Sequence, residues 1–144
     1  MRESGQIESD LLLLYINIGP EEDSMQEFVF IIGYNKTATT ALHELFCRSG
    51  LSSIHWDGGK LALTMVSNIC SGRRVFDGYD ARYRVFSDLI YLDARVLIEG
   101  NEYFEEMMND YPNARFIYNY RNQGEWIRSR LLHANDSGIG FLLT

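Results

Sequence analysis

The chain has 144 residues, 46% of them hydrophobic and 13% aromatic, which suits one globular domain with its own core rather than two. Its formal charge of −7 is concentrated at the front, where residues 1–27 hold one arginine against seven acids. Such a balance argues against a protein that coats nucleic acid, yet it leaves room for a local anion site.

The first apolar run, "LLLLYINI" (11–18), is too short to span a bilayer, and its acidic rather than basic flank is wrongly charged for a signal peptide. No membrane association and a cytoplasmic setting are expected. Two cysteines, Cys47 and Cys70, fit no zinc spacing and are too few for a disulfide framework, so both are read as small buried hydrophobes in a reducing compartment. A Gly-Pro turn and a cluster of acids close residues 1–24, an arm that is either an extra strand or loosely attached, and the compact domain is read as 25–144 with Met25 near its start.

"FVFIIGY" (28–34) is a continuous apolar run expected to form a strand covered on both faces. "TTALHELFCRSG" then has Leu42, Leu45 and Phe46 at helical spacing, with Gly50 placed to end the helix. "LSSIHW" reads as a second strand and "KLALTMVSNIC" as a second helix with Leu61, Met65 and Ile69 on one stripe; "RRVFDGY" reads as a third short strand with a turn. Residues 80–97 mix aromatics and charges without a period and are expected to be a partly helical loop on the substrate side. A helix stopped before Pro112, a strand "ARFIYNY", and a last helix with Trp126, Ile127 and Leu131 facing inward complete the pattern. Alternating strands and helices predict an α/β fold, a three-layer sheet of mainly parallel strands of the P-loop type, flanked by helices.

In such sheets ligands collect at the carboxyl ends of the strands, where Gly33 to Thr40 and Arg121 both fall. A strand, a tight turn and a helix N-terminus direct backbone N–H groups at one spot, and Lys36 adds a point charge. Thr37, Thr39 and Thr40 add hydroxyl donors. The nucleoside triphosphatase pattern G-x-x-x-x-G-K-[ST] puts its lysine after a second glycine at the far end of the loop. Here Lys36 comes three residues after Gly33 with no second glycine between, so an ordinary ATPase or GTPase is not expected. Without a further partner, the loop could equally be a plain strand-to-helix turn capped by a threonine.

"YNKTATTAL" (34–42) resembles the 5′-phosphosulfate loop of sulfotransferases, commonly Y-P-K-S-G-T-T-W or K-T-G-T-T-x-L. That family's second signature, an arginine at a strand end with a serine eight residues on, is matched by Arg121 and Ser129 in "RNQGEWIRS". The chain is similar above all to the bacterial-type P-loop sulfotransferases, which often read "FIIGxNKTGTTSLH", "VHW", "FSD" and "YPxxKFILxxRxxxxWxxS". It has "FIIGYNKTATTALH", "SIHWDGGKLA", "YRVFSD" and "YPNARFIYNYRNQGEWIRS", a likeness running from about Glu27 to His133.

The resemblance implies transfer of a sulfonate group from 3′-phosphoadenosine 5′-phosphosulfate to an acceptor hydroxyl or amine on a small molecule or glycan, leaving adenosine 3′,5′-bisphosphate, with no metal. Asn35, Lys36, Thr37, Ala38, Thr39 and Thr40 would hold the 5′-phosphate, Lys36 would stabilise the leaving oxygen, and Arg121 with Ser129 would bind the 3′-phosphate. A general base is needed. Asp88 in "FSD" is the first choice and His55 the second, although "IHW" also suits a half-buried histidine packed on Trp56. His43 is read as a helix-surface residue without a role, and Arg128, Arg130 and His133 as complements to the end of their helix.

Two departures bear on activity. Ala38 replaces the usual glycine, which matters if that position needs φ > 0 and is harmless if it needs only smallness. The sequence also ends soon after the Arg/Ser helix, where family members continue. A shortened, non-catalytic nucleotide-binding remnant and a P-loop small-metabolite kinase are therefore the rival readings, and a homodimer in which a second copy completes the sheet is one arrangement allowed.

Overall fold

A computed structural model of the chain describes residues 27–137, with side chains through Leu132. The expected arm over residues 1–24, Met25 and the "LLLLYINI" run lie outside the described residues. The elements in order are β1 (Val29–Ile31), α1 (Thr39–Arg48), β2 (Ser53–His55), α2 (Lys60–Cys70), β3 (Val85–Ser87), β4 (Ile90–Leu92), β5 (Leu97–Glu99), α3 (Phe104–Asp110), β6 (Arg115–Ile117) and α4 (Gln123–Ser137).

Four short strands form one parallel sheet in the order β2-β3-β1-β6, with Phe30 of β1 level with Phe86 on one side and Phe116 on the other. Successive side chains of a strand face opposite ways, and the sheet uses both faces. Val29, Ile31 and Val85 pack with Phe46 of α1, whereas Phe30, Ile54 and Phe86 pack with Leu61 and Met65 of α2 and Met107 of α3. The result is the expected three-layer α/β arrangement. Aromatic rings dominate the second layer: Phe76 and Phe86 stack at 4.1 Å between centroids and Phe30 lies 5.0 Å from Phe76. Truncating a buried phenylalanine of this kind costs about 3–5 kcal/mol.

The chain leaves β1 through α1 on one face and reaches the outer strand β2, while β3 connects past α3 on the other face to β6. β1 and β3 are neighbours whose connections run in opposite directions, so a crevice opens between their carboxyl ends. That crevice is bordered by the loop after Gly33 and by Asp88, just past the buried end of β3.

Several sequence expectations need correction. "RRVFDGY" is not a strand: Asn68 of α2 donates from Nδ2 to the carbonyls of Val75 and Asp77, each at 3.0 Å, and Val75 N–H donates to Asp110 Oδ2 at 2.7 Å. With its backbone groups satisfied by side chains, the segment stays a loop and plugs Val75 and Phe76 into the core. Residues 80–97 contain no helix and instead hold β3, which is fully buried, and the antiparallel hairpin β4–β5. The hairpin turn closes on Asp93, whose Oδ1 accepts from the N–H groups of Arg95 and Val96.

Leu45, Ile127 and Leu131 point to solvent rather than inward, and of the expected inward set on α4 only Trp126 is half-buried. Cys47 and Cys70 are free, as expected, but exposed rather than buried.

Candidate active site

β1 lies beside β6, with Ile32 N–H donating to the Ile117 carbonyl at 2.9 Å, so whatever follows β6 is laid against the loop that follows β1. Gly33 is required by this close approach: a Cβ there would sit 1.9 Å from Asn119 Oδ1 and 2.3 Å from the Asn119 carbonyl oxygen. Asn119 uses the proximity, donating from Nδ2 to the carbonyl of Thr37 at 2.6 Å and to its hydroxyl at 2.7 Å.

Five consecutive carbonyls of the loop are engaged in this way. Gly33 O accepts from Asn101 Nδ2 at 3.2 Å, Tyr34 O from the Thr37 hydroxyl, Asn35 O from the Trp126 indole at 2.9 Å, Lys36 O from Arg121 at 3.4 Å, and Thr37 O from Asn119. In a trans peptide the N–H points opposite to the C=O. Holding these carbonyls therefore turns the N–H groups of residues 34–38 away from their partners. Lys36 (φ 67) and Ala38 (φ 68) are left-handed and flank Thr37, an alternation that gathers successive N–H groups into an anion-binding concavity. The first-turn amides of α1 add to it, since the helix begins without a side-chain cap and without an acid in its first turn.

The open question about Ala38 is thereby answered: its position does need φ > 0, and alanine occupies it at a conformational cost that glycine would not bear. Thr37 and Thr39 are buried, Thr40 is exposed, and Asn35 and Lys36 are half-buried. Arg121 is held loosely, with its second nitrogen 3.7 Å from Glu125, and a cavity of about 300 Å³ opens beside it. Tyr34, Thr37, Asn119, Arg121, Gln123 and Trp126 line this cavity together with the exposed Tyr118 and Tyr120. Ser129 is half-buried two turns along α4 and is not part of that lining.

A second group of side chains gathers at the ends of β2 and β3. His55 and Asp88, chosen separately from the sequence as alternative bases, are neighbours: His55 Nε2 lies 3.5 Å from Asp88 Oδ2 and 3.4 Å from Thr40 Oγ1. His55 Nδ1 lies 3.0 Å from the hydroxyl of Ser87. His43 is not a bystander on the helix surface. It is half-buried, contacts Ser53 Oγ at 2.7 Å through Nδ1, and stacks on His55 at 5.4 Å. Burial, with His43 beside it, pushes His55 below its ordinary range and keeps it neutral at pH 7. Asp88 (φ 56) and the Trp56–Gly59 turn hold left-handed backbone on either side of the pair, the kind of local strain that collects around working sites.

Arg130 does not complement the end of its helix. It reaches Glu99 at 3.6 Å with both side chains largely buried, and its guanidinium covers the Trp126 ring at 5.0 Å. Burial raises Glu99 from the usual carboxylate range, with Arg130 opposing the shift. His133 lies beyond the described side chains.

Sequence reasoning missed Asn119, Asn101 and Ser87. The signal for Asn119 was present as a polar residue interrupting "FIYNY" two positions before Arg121, where the alternation of an extended chain puts both on one side. Among the described residues no three of His, Cys, Asp and Glu are grouped to hold a metal, and no helix is long and apolar enough to cross a membrane.

A search among curated proteins finds no match. A family model described as a sulfotransferase domain matches residues 28–137, from just before β1 through the end of α4. That span is most of the chain and takes in the loop after Gly33, His55, Asp88 and Arg121, so the chain belongs to the sulfotransferase domain family and is a transferase enzyme.

Proposed function

We propose that the chain moves a sulfonate group from 3′-phosphoadenosine 5′-phosphosulfate to a hydroxyl or amine acceptor. The observation that carries this reading is the run of five engaged carbonyls, which leaves the amides of residues 34–38 and the first turn of α1 for a phosphosulfate. Asn35 to Thr40 hold the 5′-phosphate, and Lys36 neutralises charge on its bridging oxygen. Arg121, loosely held beside the cavity, takes the 3′-phosphate in bidentate fashion, with Ser129 as the expected second contact.

On the other side of the loop, the pair of His55 and Asp88 serves the acceptor. The acceptor oxygen or nitrogen forms a bond to sulfur as the bond from sulfur to the phosphate oxygen breaks. The acceptor's proton passes to His55, Asp88 offsets the imidazolium charge, and adenosine 3′,5′-bisphosphate leaves.

Calorimetric titration of adenosine 3′,5′-bisphosphate into the wild type, Lys36→Ala and Arg121→Ala, with ADP and magnesium ATP as comparators, tests the donor. Binding that needs the 3′-phosphate and fails in both variants is expected; equal binding of magnesium ATP would replace this reading with a kinase. The left-handed Ala38 favours a second reading, a nucleotide-binding domain without turnover. Normal bisphosphate affinity with no transfer of labelled sulfonate to any acceptor would favour it.

A further inference from the structure

We infer that Ser87 fixes His55 in the tautomer that carries its proton on Nδ1, leaving Nε2 as the proton-accepting atom opposite Thr40. Ser87 ends β3 and is wholly buried, so its hydroxyl hydrogen must find a protein acceptor. The Ile54 carbonyl, 3.3 Å away, is an acceptor in either tautomer of His55, and we assign the hydrogen to it. A serine hydroxyl has one hydrogen and otherwise only lone pairs. What it offers His55 Nδ1 at 3.0 Å is therefore an acceptor, and Nδ1 is the donor.

A neutral imidazole has one N–H, so Nε2 is left with its lone pair. Two groups stand near that lone pair: Thr40 Oγ1 at 3.4 Å, which can donate to it, and Asp88 Oδ2 at 3.5 Å, which as a carboxylate cannot. Asp88 becomes a partner only after Nε2 has taken a proton. His43, from α1, is the other titratable ring facing His55 and disfavours a standing imidazolium there. The arrangement keeps Nε2 a base at rest, helps it once charged, and favours passing the proton on to water.

Thr40 also belongs to the proposed phosphate set, which gives the tautomer a consequence resting on the sulfonate-transfer reading above. With no donor in the loop, the Thr40 hydroxyl caps Nε2. A phosphosulfate in the loop draws that hydroxyl to its own oxygens and exposes Nε2 to the acceptor. Ser87 is on this account a positioning residue, and donor binding precedes competent acceptor binding.

The tautomer itself needs no ligand, so it is tested apart from the donor. Imidazole nitrogen NMR spectra of the full chain at neutral pH, with His55 assigned by its loss in His55→Gln, should show His55 protonated at Nδ1 and unprotonated at Nε2. Ser87→Ala should shift the ring toward the Nε2-protonated form, and Ser87→Thr, which keeps a hydroxyl, should restore the wild-type pattern. A wild-type His55 protonated at Nε2, or divided between the two nitrogens, overturns the inference whatever the variants do. So does a folded Ser87→Ala protein with an unchanged ring. Failure of adenosine 3′,5′-bisphosphate to bind in calorimetry would instead count against the donor reading and leave the tautomer result standing.

Discussion

Ala38→Gly should stabilise the protein, although replacing alanine by glycine usually does the opposite. Ala38 has φ 68 and ψ 27, squarely left-handed, and its methyl group is exposed, so its removal leaves no cavity. The left-handed conformation costs a non-glycine residue roughly 1–2 kcal/mol. Against this, glycine adds freedom to the unfolded chain that folding must remove, worth about 0.4–1 kcal/mol. The balance favours glycine by about 0.5–1 kcal/mol, which for a domain of this size is a rise in Tm of roughly 2–4 °C. Ala41 supplies the control: it is also exposed but lies within α1, where the same change should cost about 1 kcal/mol. Urea and thermal unfolding of the two variants should therefore move in opposite directions. A loss of stability in Ala38→Gly equal to that in Ala41→Gly would refute the strain argument, and with it the reading of residues 36–38 as a curled anion loop.

Asn119→Ala removes both hydrogen bonds to Thr37, which should cost about 1–3 kcal/mol in unfolding and weaken bisphosphate binding by on the order of tenfold in calorimetry. For His55, the folded value lies below the ordinary 6.5, so between the two values the unfolded chain binds more protons and stability rises with pH. That contribution is complete above 6.5 and is lost on acidification, and His55→Gln should flatten the stability profile in that window. Glu99 has the opposite sign: its folded value is raised above 4.5, so its contribution is present at low pH and falls as pH rises through the raised value. Comparing wild type with Glu99→Gln by urea unfolding across that range should show a less negative slope in the variant.

How far the sequence could be read depended on what each residue had to do. "FVFIIGY" and "KLALTMVSNIC" were legible because a strand covered on both faces and a one-sided helix each impose a pattern over many residues. β3 was not, since only Val85 to Ser87 are in the sheet, and three residues between charged and aromatic neighbours set no period. "RRVFDGY" misled for a related reason: Val75 and Phe76 are core residues, but the carbonyls of Val75 and Asp77 are taken by the Asn68 side chain from the preceding helix. Lys36 and the threonines drew attention to the loop as a candidate anion site. The atoms that shape it were not legible, because Asn101, Asn119 and Trp126 act on its backbone carbonyls from other elements.

The strand order explains why His55, Asp88 and the loop after Gly33 lie close together. Along the carboxyl edge of β2-β3-β1-β6 the groups run His55, then Ser87 and Asp88, then the loop after Gly33, then Asn119 and Arg121. Neighbouring strands are about 4.8 Å apart, so His55 starts roughly 10 Å from the loop's own strand. The first turn of α1 closes that gap, since the helix leaves β1 and packs across β3 and β2, bringing Thr40 and His43 to the His55 ring. A donor entering from the β6 side, with its nucleotide by Arg121, would thus present its sulfur toward β3. An acceptor entering from the β2 side would meet it from the opposite direction. In-line displacement requires that opposition of entering and leaving groups, and under the proposed transfer the order of four parallel strands would supply it before any side chain is chosen.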